Sequence, residues 1–345
     1  MSSADVFQTM NAGYAQLIYE LWLRDPMSVD EEWRALFSNG QQGLAPPSAS
    51  ELLLGAADAA APARTPEPPA PAAAAAPVGT LIPVRGGALR LIQNMTESLR
   101  VPTATSFRDV DVAALDLRRR ELNAALAPRK VSYTHLIAYA LVRAAAAHPV
   151  MTYAFQVVEG APHRLDPGGV HLGLAVDVEK KDGSRTLMVP VLRHAEGLDF
   201  AAFHALYESL VERARTNQLL PDDFRGATMT LTNPGTLGTT ASVPRLMAGQ
   251  GTIIATGAIR DVGGQRLMTI TSTYDHRIIQ GAESGTFLRT LDRLLQGADG
   301  FYEAVAESVG LAAASLQPLP APGAAALGAG PLAGAAAPDL QAVAA

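Results

Sequence analysis

Two Ala/Pro-rich stretches set the limits of what this chain can fold into. Residues 41–80, which include "APARTPEPPAPAAAAAP", and the residues from about Leu311 to the end offer small side chains and many prolines but no periodic large apolar groups. Such a composition suits an extended, semi-stiff tether and cannot supply a packed core. The folded domain is therefore expected at 81–310, with 41–80 as a linker, 311–345 as a disordered tail and 1–40 as a separate segment.

Within 1–40 the apolar residues Leu17, Ile18, Leu21 and Trp22 recur at helical spacing after Tyr14, and Pro26 ends the pattern. Ser28 with Glu31 reads as a capping box opening a second short helix that carries Trp33, Leu36 and Phe37. The result is a helical hairpin with an apolar stripe and both tryptophans of the chain. A unit this small cannot make a stable core alone. The stripe must pack on the main domain or dock on a partner, and the long tether favours a detachable docking segment with exposed tryptophan anchors.

Inside 81–310 helices and strands mix. Ser132 is positioned to cap "YTHLIAYALVRAAAA", which is apolar nearly all round and so predicts a buried helix. "FAAFHALYESLVERA" (200–214) and "GAESGTFLRTLDRLLQ" (281–296) each place large apolar residues on one face. Strands are predicted at 103–112, 171–179, 186–193, 228–233, 251–259 and 267–274. Long connections between them point to a mixed α/β domain with helices over a sheet.

The net charge of −6 and the absence of a long basic run exclude a nucleic-acid binder, which needs a phosphate-neutralising patch. With no cysteine there are no disulfides, thiolate nucleophiles, zinc-thiolate sites or iron–sulfur clusters. No uninterrupted apolar run reaches the length of a membrane span, and no basic segment leads an apolar one at the N-terminus, so the expectation is a cytoplasmic protein without a membrane partner.

The chemistry converges on "TSTYDHRIIQGAES" (271–284), where His276 lies just beyond a strand and Gly281 opens a helix. "TMTLTNPGTLGTT" (228–240) is a second strand ending in hydroxyls, Asn233 and glycines, suited to hydrogen-bonding an oxyanion. Without a serine nucleophile elbow, a histidine acting directly as general base on a thiol or hydroxyl is the simplest chemistry. His135 and His148 flank the buried helix and His194 follows a strand, so each reads as structural or solvent-exposed.

"DHRIIQG" (275–281) resembles the D-H-R-x-x-D-G signature of the acyltransferase component of 2-oxoacid dehydrogenase complexes, related to the histidine motif of chloramphenicol acetyltransferases. "MTLTNPGTLG", "GLAVDV" with "LMVPVLR", and "VPTATSFRDVDV" resemble other strands of that family, in order. "LTNPGTLGT", "SVPRLMAGQG" and "TSTYDHRIIQGAESG" are similar in particular to the acyltransferase domain of the fused actinobacterial 2-oxoglutarate dehydrogenase, or decarboxylase. "YELWLRDPMSVDEEWRALF" resembles the leading helical segment of 2-oxoglutarate dehydrogenases.

The resemblance implies a chloramphenicol-acetyltransferase-like mixed sheet packed with helices. It implies His276 as the base removing the thiol proton of coenzyme A or dihydrolipoamide and Thr232 as the hydroxyl donor to the tetrahedral oxyanion. Asp275 and Arg277 would brace the turn. It further implies a homotrimer with the site between subunits, coenzyme A as a substrate, no metal, and other dehydrogenase components as partners. The family's Asp is replaced here by Gln280, which offers only neutral hydrogen bonds to hold the histidine loop. In "HPVMTYAF" (148–155) an Asn of the family is missing near Thr152. No thiamine-diphosphate motif is present, and the lysines Lys130, Lys180 and Lys181 all lie inside the catalytic span, so no lipoyl group is expected on this chain. The expected function is succinyl transfer in the tricarboxylic acid cycle with a lipoyl-bearing protein acting in trans. The alternatives are a scaffold or regulator of the complex, and a stand-alone small-molecule acetyltransferase.

Overall fold

The computed structural model describes residues 12–38, 80, 83–84, 87–179 and 185–319; the expected linker, apart from residue 80, and the tail beyond 319 lie outside them. The helices are α1 (Ala12–Arg24), α2 (Glu31–Ser38), α3 (Gly87–Ser98), α4 (Ala113–Leu126), α5 (Tyr133–Ala147), α6 (Phe200–Arg215), α7 (Gly281–Leu295) and α8 (Phe301–Ser308). The strands are β1 (Thr103–Asp111), β2 (Ala154–Val158), β3 (Ala161–Leu165), β4 (Leu172–Leu174), β5 (Val176–Glu179), β6 (Arg185–Met188), β7 (Val191–Leu192), β8 (Met229–Thr232), β9 (Thr252–Val262) and β10 (Gln265–Asp275).

Six strands form one mixed sheet in the order β1-β10-β9-β8-β4-β7, and β2–β3 and β5–β6 form two small hairpins. β10 runs antiparallel to both β1 and β9, whereas β8 runs parallel to β9 and β4. β10 is rich in β-branched residues and is buried from Met268 to Asp275, as a strand flanked on both sides must be. Its hydroxyls find partners off the strand: Thr273 bonds Thr105 at 2.8 Å, Ser284 donates to Ser272 at 3.1 Å, and Thr271 donates to the Ser242 carbonyl at 2.7 Å. The core joins α5 and α7 to the sheet through Leu136, Ile137, Leu141, Phe287, Leu288, Leu291, Ile254 and Ile270. This is the expected mixed sheet packed with helices.

The structure departs from the sequence reading in several places. The β2–β3 hairpin was not foreseen; its turn rests on Glu159 and Gly160, both with positive φ, and a glutamate there is a weak turn signal. The folded region also continues past Leu311: Leu311, Leu316 and Leu319 pack against the core, and the Gln317 amide donates to Glu121 at 2.9 Å.

The N-terminal hairpin forms, with different wiring. The Ser28 hydroxyl donates to the Asp25 carbonyl at 2.6 Å, and it is the Asp30 carboxylate that accepts the Glu32 amide at 3.1 Å. The capping box predicted from Ser28 and Glu31 is therefore replaced by a 3₁₀ turn, Pro26–Ser28, capped by Asp25. Part of the stripe, including Ile18, Trp33 and Phe37, is buried in the protein's own core, while Leu21 stays exposed. Trp33 is only 2 % exposed. Its Nε1 and the Tyr14 hydroxyl donate to one carbonyl, that of Leu219, at 3.1 and 3.3 Å, and the Tyr14 ring packs on Phe224 with centroids 5.3 Å apart. Trp22, only partly buried, stacks on Tyr19 at 5.7 Å. Trp33 is thus a core residue and not an exposed anchor.

Glycines hold the loop after β8 to the sheet. A Cβ on Gly235 would overlap the Gly257 backbone, and one on Gly257 would overlap the Thr240 carbonyl. Gly257→Ala is expected to displace residues 233–240 and to lower the thermal midpoint by several degrees, as backbone overlap cannot relax by side-chain rotation. Trp33→Ala should cost about 3 kcal/mol through the cavity and the lost hydrogen bond. Chemical denaturation measures this; a variant as stable as the parent would show that the hairpin is not part of the core.

Candidate active site

β10 delivers His276 to the sheet end, and an ion pair built on a buried carboxylate shapes the turn that follows. The Asp275 side chain is 3 % exposed and receives both Nε and a terminal nitrogen of Arg277, at 2.9 and 2.6 Å, together with the Arg277 amide at 3.1 Å. The Arg277 guanidinium also lies 3.9 Å from the Phe155 ring centroid, so the unforeseen β2–β3 hairpin supplies one wall. A fork–fork pair closed over an aromatic face is both strong and directional. Gln280 takes no part in it. Asp275, five residues earlier, pairs with the arginine, and the Gln280 backbone amide donates to the Glu283 carboxylate at 2.6 Å at the start of α7. At Gly281 a Cβ would meet the Tyr274 hydroxyl at 3.5 Å, an ordinary contact.

The backbone pins the histidine from both sides. The His276 amide donates to the Pro102 carbonyl at 2.9 Å, and Ile278 and Ile279 donate to Asp275 at 3.2 and 3.0 Å. The ring stands edge-on to Tyr274 with centroids 5.5 Å apart. Its Nδ1 lies 3.1 Å from the Ile279 carbonyl. A carbonyl only accepts, so Nδ1 carries the proton and Nε2 keeps a free lone pair. His276 itself is exposed. The turn thus sets the tautomer of the neutral ring and leaves Nε2 able to accept a proton.

Thr232, at the end of β8, is half-buried. The next residue, Asn233, donates from Nδ2 to Thr134 Oγ1 at 2.8 Å, anchoring the loop to the first turn of α5. Two residues back on the same face, Thr230 is fully buried and donates to Gln250 at 2.8 Å. Thr134 and Gln250 were not singled out from the sequence; each is a lone polar residue without a motif.

Within one chain the two candidate catalytic groups do not meet. Thr232 pairs with Ala255, and Ala255 pairs with Thr271. His276 lies five residues beyond Thr271. At about 3.3 Å per residue and about 4.8 Å per strand spacing, the two positions are on the order of 20 Å apart. Thr232 lies opposite Ala255, inside β9, whereas His276 lies just past the end of β10, so the two are separated along the strands as well as by two strand spacings.

Thr152, beside the position where an Asn was expected, turns its hydroxyl inward to the Pro149 carbonyl at 2.8 Å. An open cleft of about 510 Å³ lies next to it, between the end of α5 and the start of α7, lined in part by His148, Tyr153 and Glu283. Burial, with Arg289 nearby, pulls the His148 pKa down, and its Nε2 pairs with the Thr290 hydroxyl at 2.8 Å. Among the described residues one trio, His135, His204 and Glu208, brings three ligating atoms within 4.8 Å. His135 Nδ1 accepts the Ser132 amide at 3.2 Å, so its Nε2 carries the proton given to Glu208 at 2.8 Å. A metal at that nitrogen would require an imidazolate, and the trio fits a helix cap better than a metal centre.

The sequence of residues 78–301 matches the family "2-oxoacid dehydrogenases acyltransferase (catalytic domain)", and residues 6–44 match "2-oxoglutarate dehydrogenase N-terminus". The 2-oxoglutarate dehydrogenase E1/E2 component of Corynebacterium glutamicum is 38 % identical over 355 residues, covering 90 % of this chain and 28 % of that protein. The multifunctional 2-oxoglutarate metabolism enzyme of Mycolicibacterium vanbaalenii is 44 % identical over 245 residues, 66 % of this chain and 20 % of that protein. The chain thus spans less than a third of the length of these relatives. Among solved structures, the cubic core of the pyruvate dehydrogenase multienzyme complex superposes with a TM-score of 0.57 at 28 % identity, covering 69 % of this chain and 99 % of that one. A structure of Azotobacter vinelandii dihydrolipoamide acetyltransferase, studied for the roles of a serine, a histidine and an asparagine in catalysis, does so at 0.56 and 28 %, with the same coverage. The chain carrying the His276 turn and the Thr232 strand belongs to the 2-oxoacid dehydrogenase acyltransferase family, and its folded region is an acyltransferase catalytic core of that family.

Proposed function

We propose that this core transfers an acyl group, succinyl by preference, between a dihydrolipoyl group carried by another protein and coenzyme A. The observation that carries this is the Nδ1–H of His276 bound to the Ile279 carbonyl, which leaves Nε2 as a base at an exposed sheet end. Nε2 takes the proton of the attacking thiol as its sulfur bonds to the thioester carbonyl carbon. The tetrahedral oxyanion then collapses, the carbon–sulfur bond to the first carrier breaks, and the departing thiolate takes the proton back from His276. The Thr232 hydroxyl donates to the oxyanion, an interaction typically worth about 3–4 kcal/mol in the transition state. The names of the related proteins, which concern 2-oxoglutarate, support succinyl as the acyl group.

The strand register supports a shared site. With His276 and Thr232 on the order of 20 Å apart in one chain, a second copy would bring its hydroxyl strand to the first copy's histidine, and a closed ring of three copies satisfies every such contact. The same dependence on a partner applies to the lipoyl arm, which this reading places on another protein. A catalytically silent scaffold would have no need of the pinned tautomer at His276.

His276→Ala is expected to lower kcat about a thousandfold, and Thr232→Ala about a hundredfold or more, in a thioester-exchange assay with succinyl-CoA and dihydrolipoamide. Co-refolding the two inactive variants should restore about a quarter of the wild-type activity, since one in four randomly mixed interfaces joins an intact histidine to an intact threonine. No recovery on mixing would place both groups in one subunit and sink the shared site. Asp275→Asn removes the charge that holds Arg277, and should cost about 3 kcal/mol of stability together with most of the activity. Retained turnover in that variant would show that the ion pair does not position the histidine.

A further inference from the structure

We infer that Thr134 is a positioning residue for the reaction, holding the Thr232 hydroxyl in place through Asn233 from a helix end locked by its neighbours; the role rests on the reading of Thr232 as the oxyanion donor. Thr232 stands where the sheet stops supporting β8. Its pairing with Ala255 is the last between β8 and β9, and on the other edge the ladder to β4 ends one residue earlier, at Leu231 opposite Leu174. A 3₁₀ turn, Pro234–Leu237, follows. The next backbone bond to the sheet comes only where the Ala258 amide donates to the Thr239 carbonyl, at 2.8 Å. Among the described residues, the one hydrogen bond from 233–238 to another element is that from Asn233 Nδ2 to Thr134 Oγ1, at 2.8 Å.

The acceptor that Asn233 reaches is itself firmly placed. Asn123 of α4 clasps Val131 twice, donating to its carbonyl at 2.9 Å and accepting its amide at 2.7 Å. His204 of α6 donates to the Lys130 carbonyl at 3.1 Å. Ser132 and His135 close a capping box in which the Ser132 hydroxyl accepts the His135 amide and His135 Nδ1 accepts the Ser132 amide, both at 3.2 Å. The Tyr133 hydroxyl donates to Asp116 of α4, and His135 Nε2 to Glu208 of α6 at 2.8 Å. The capping box alone satisfies the helix end. The remaining bonds run to two other helices, so what they add is a fixed location for the first turn of α5.

Within 130–135, Thr134 is the member whose bond leaves this lattice for the hydroxyl loop. Further along the same helix Leu136, Ile137 and Leu141 join Phe287 and Leu288 of α7 in the core, and α7 opens directly after the His276 turn. One rigid helix therefore sets both the loop that carries Thr232 and the helix that follows His276. A hydroxyl that serves a developing oxyanion must lie within about 0.5 Å of its productive place. The sheet fixes Thr232 from its N-terminal side, and Thr134 fixes the residue that follows it. Since the oxyanion exists only in the transition state, loosening that hold lowers kcat and leaves substrate binding as it was.

The test uses the full chain and the exchange of succinyl-CoA with dihydrolipoamide. Thr134→Val keeps the side-chain shape and removes the acceptor; it is expected to lower kcat about tenfold or more with KM unchanged for both substrates. Thr134→Ser restores the acceptor and should recover most of the rate. Because Thr134 acts through Thr232, adding Thr134→Val to Thr232→Ala should cost nothing further. An unchanged kcat in Thr134→Val, a further loss in the double variant, or a loss that Thr134→Ser does not repair overturns the inference. Crystal structures give a readout apart from turnover: a displaced Thr232 in Thr134→Val supports the positioning role, and a Thr232 that has not moved refutes it. If Thr232→Ala turns over at the wild-type rate while Thr232 still shifts in the Thr134→Val crystals, it is the oxyanion role that fails and not the positioning.

Discussion

The pairing of β10 with both β1 and β9 is the constraint on which the rest of the molecule depends. The strand runs in register along β1 for its whole described length, from Asp111 opposite Leu267 to Thr103 opposite Asp275. β9 holds its other edge, with one irregularity between Met268 and Ile270. A central strand bonded on both edges cannot slip by one residue without turning its buried set outward. The direction in which it releases the chain at Asp275 is therefore settled, and with it the place of His276. The same register places Thr232 opposite Ala255, two strands away from β10 and several residues short of its end, so it stands apart from His276 within one chain.

At that release point the structure spends a buried charge. Asp275 is enclosed, and an enclosed carboxylate without a partner is costly. Arg277, two residues later, answers it with a forked pair and lays its planar face on Phe155. The two residues flank His276, so closing the pair fixes the backbone on either side of the imidazole. The Ile279 carbonyl then sets the tautomer. Positioning a base in this way needs no charged group at residue 280, which explains how Gln280 can stand there without loosening the turn.

The N-terminal hairpin illustrates a different balance. It is joined to the domain through an Ala/Pro-rich stretch, and its two polar aromatic groups share one carbonyl of the segment before Phe224. Covering Trp33, Tyr14 and Phe37 removes large apolar surface from water, a gain that exceeds the modest entropy of closing a long loop. A docking role for residues 1–40 would have to use the face of the hairpin that stays outside, or displace this contact.

The sequence alone determined what depends on spacing along the chain. Helical periodicity located α1, α5, α6 and α7, alternation and β-branching located the main strands, and the "DHRIIQG" turn singled out His276. The hydroxyl and glycine pattern marked the end of β8, and the family resemblance singled out Thr232 within it. The contacts that give these residues their setting were decided by the tertiary structure. Phe155 stacks on Arg277 across more than a hundred residues, Thr134 anchors Asn233, Trp33 finds Leu219, and Arg266 joins Asp116. Each joins positions far apart in sequence, and the residue on one side of every pair looks ordinary in its own neighbourhood. Short-range pattern reports which face of an element will be buried; only the folded sheet and its neighbours settle what that face, and each polar group at its rim, is buried against.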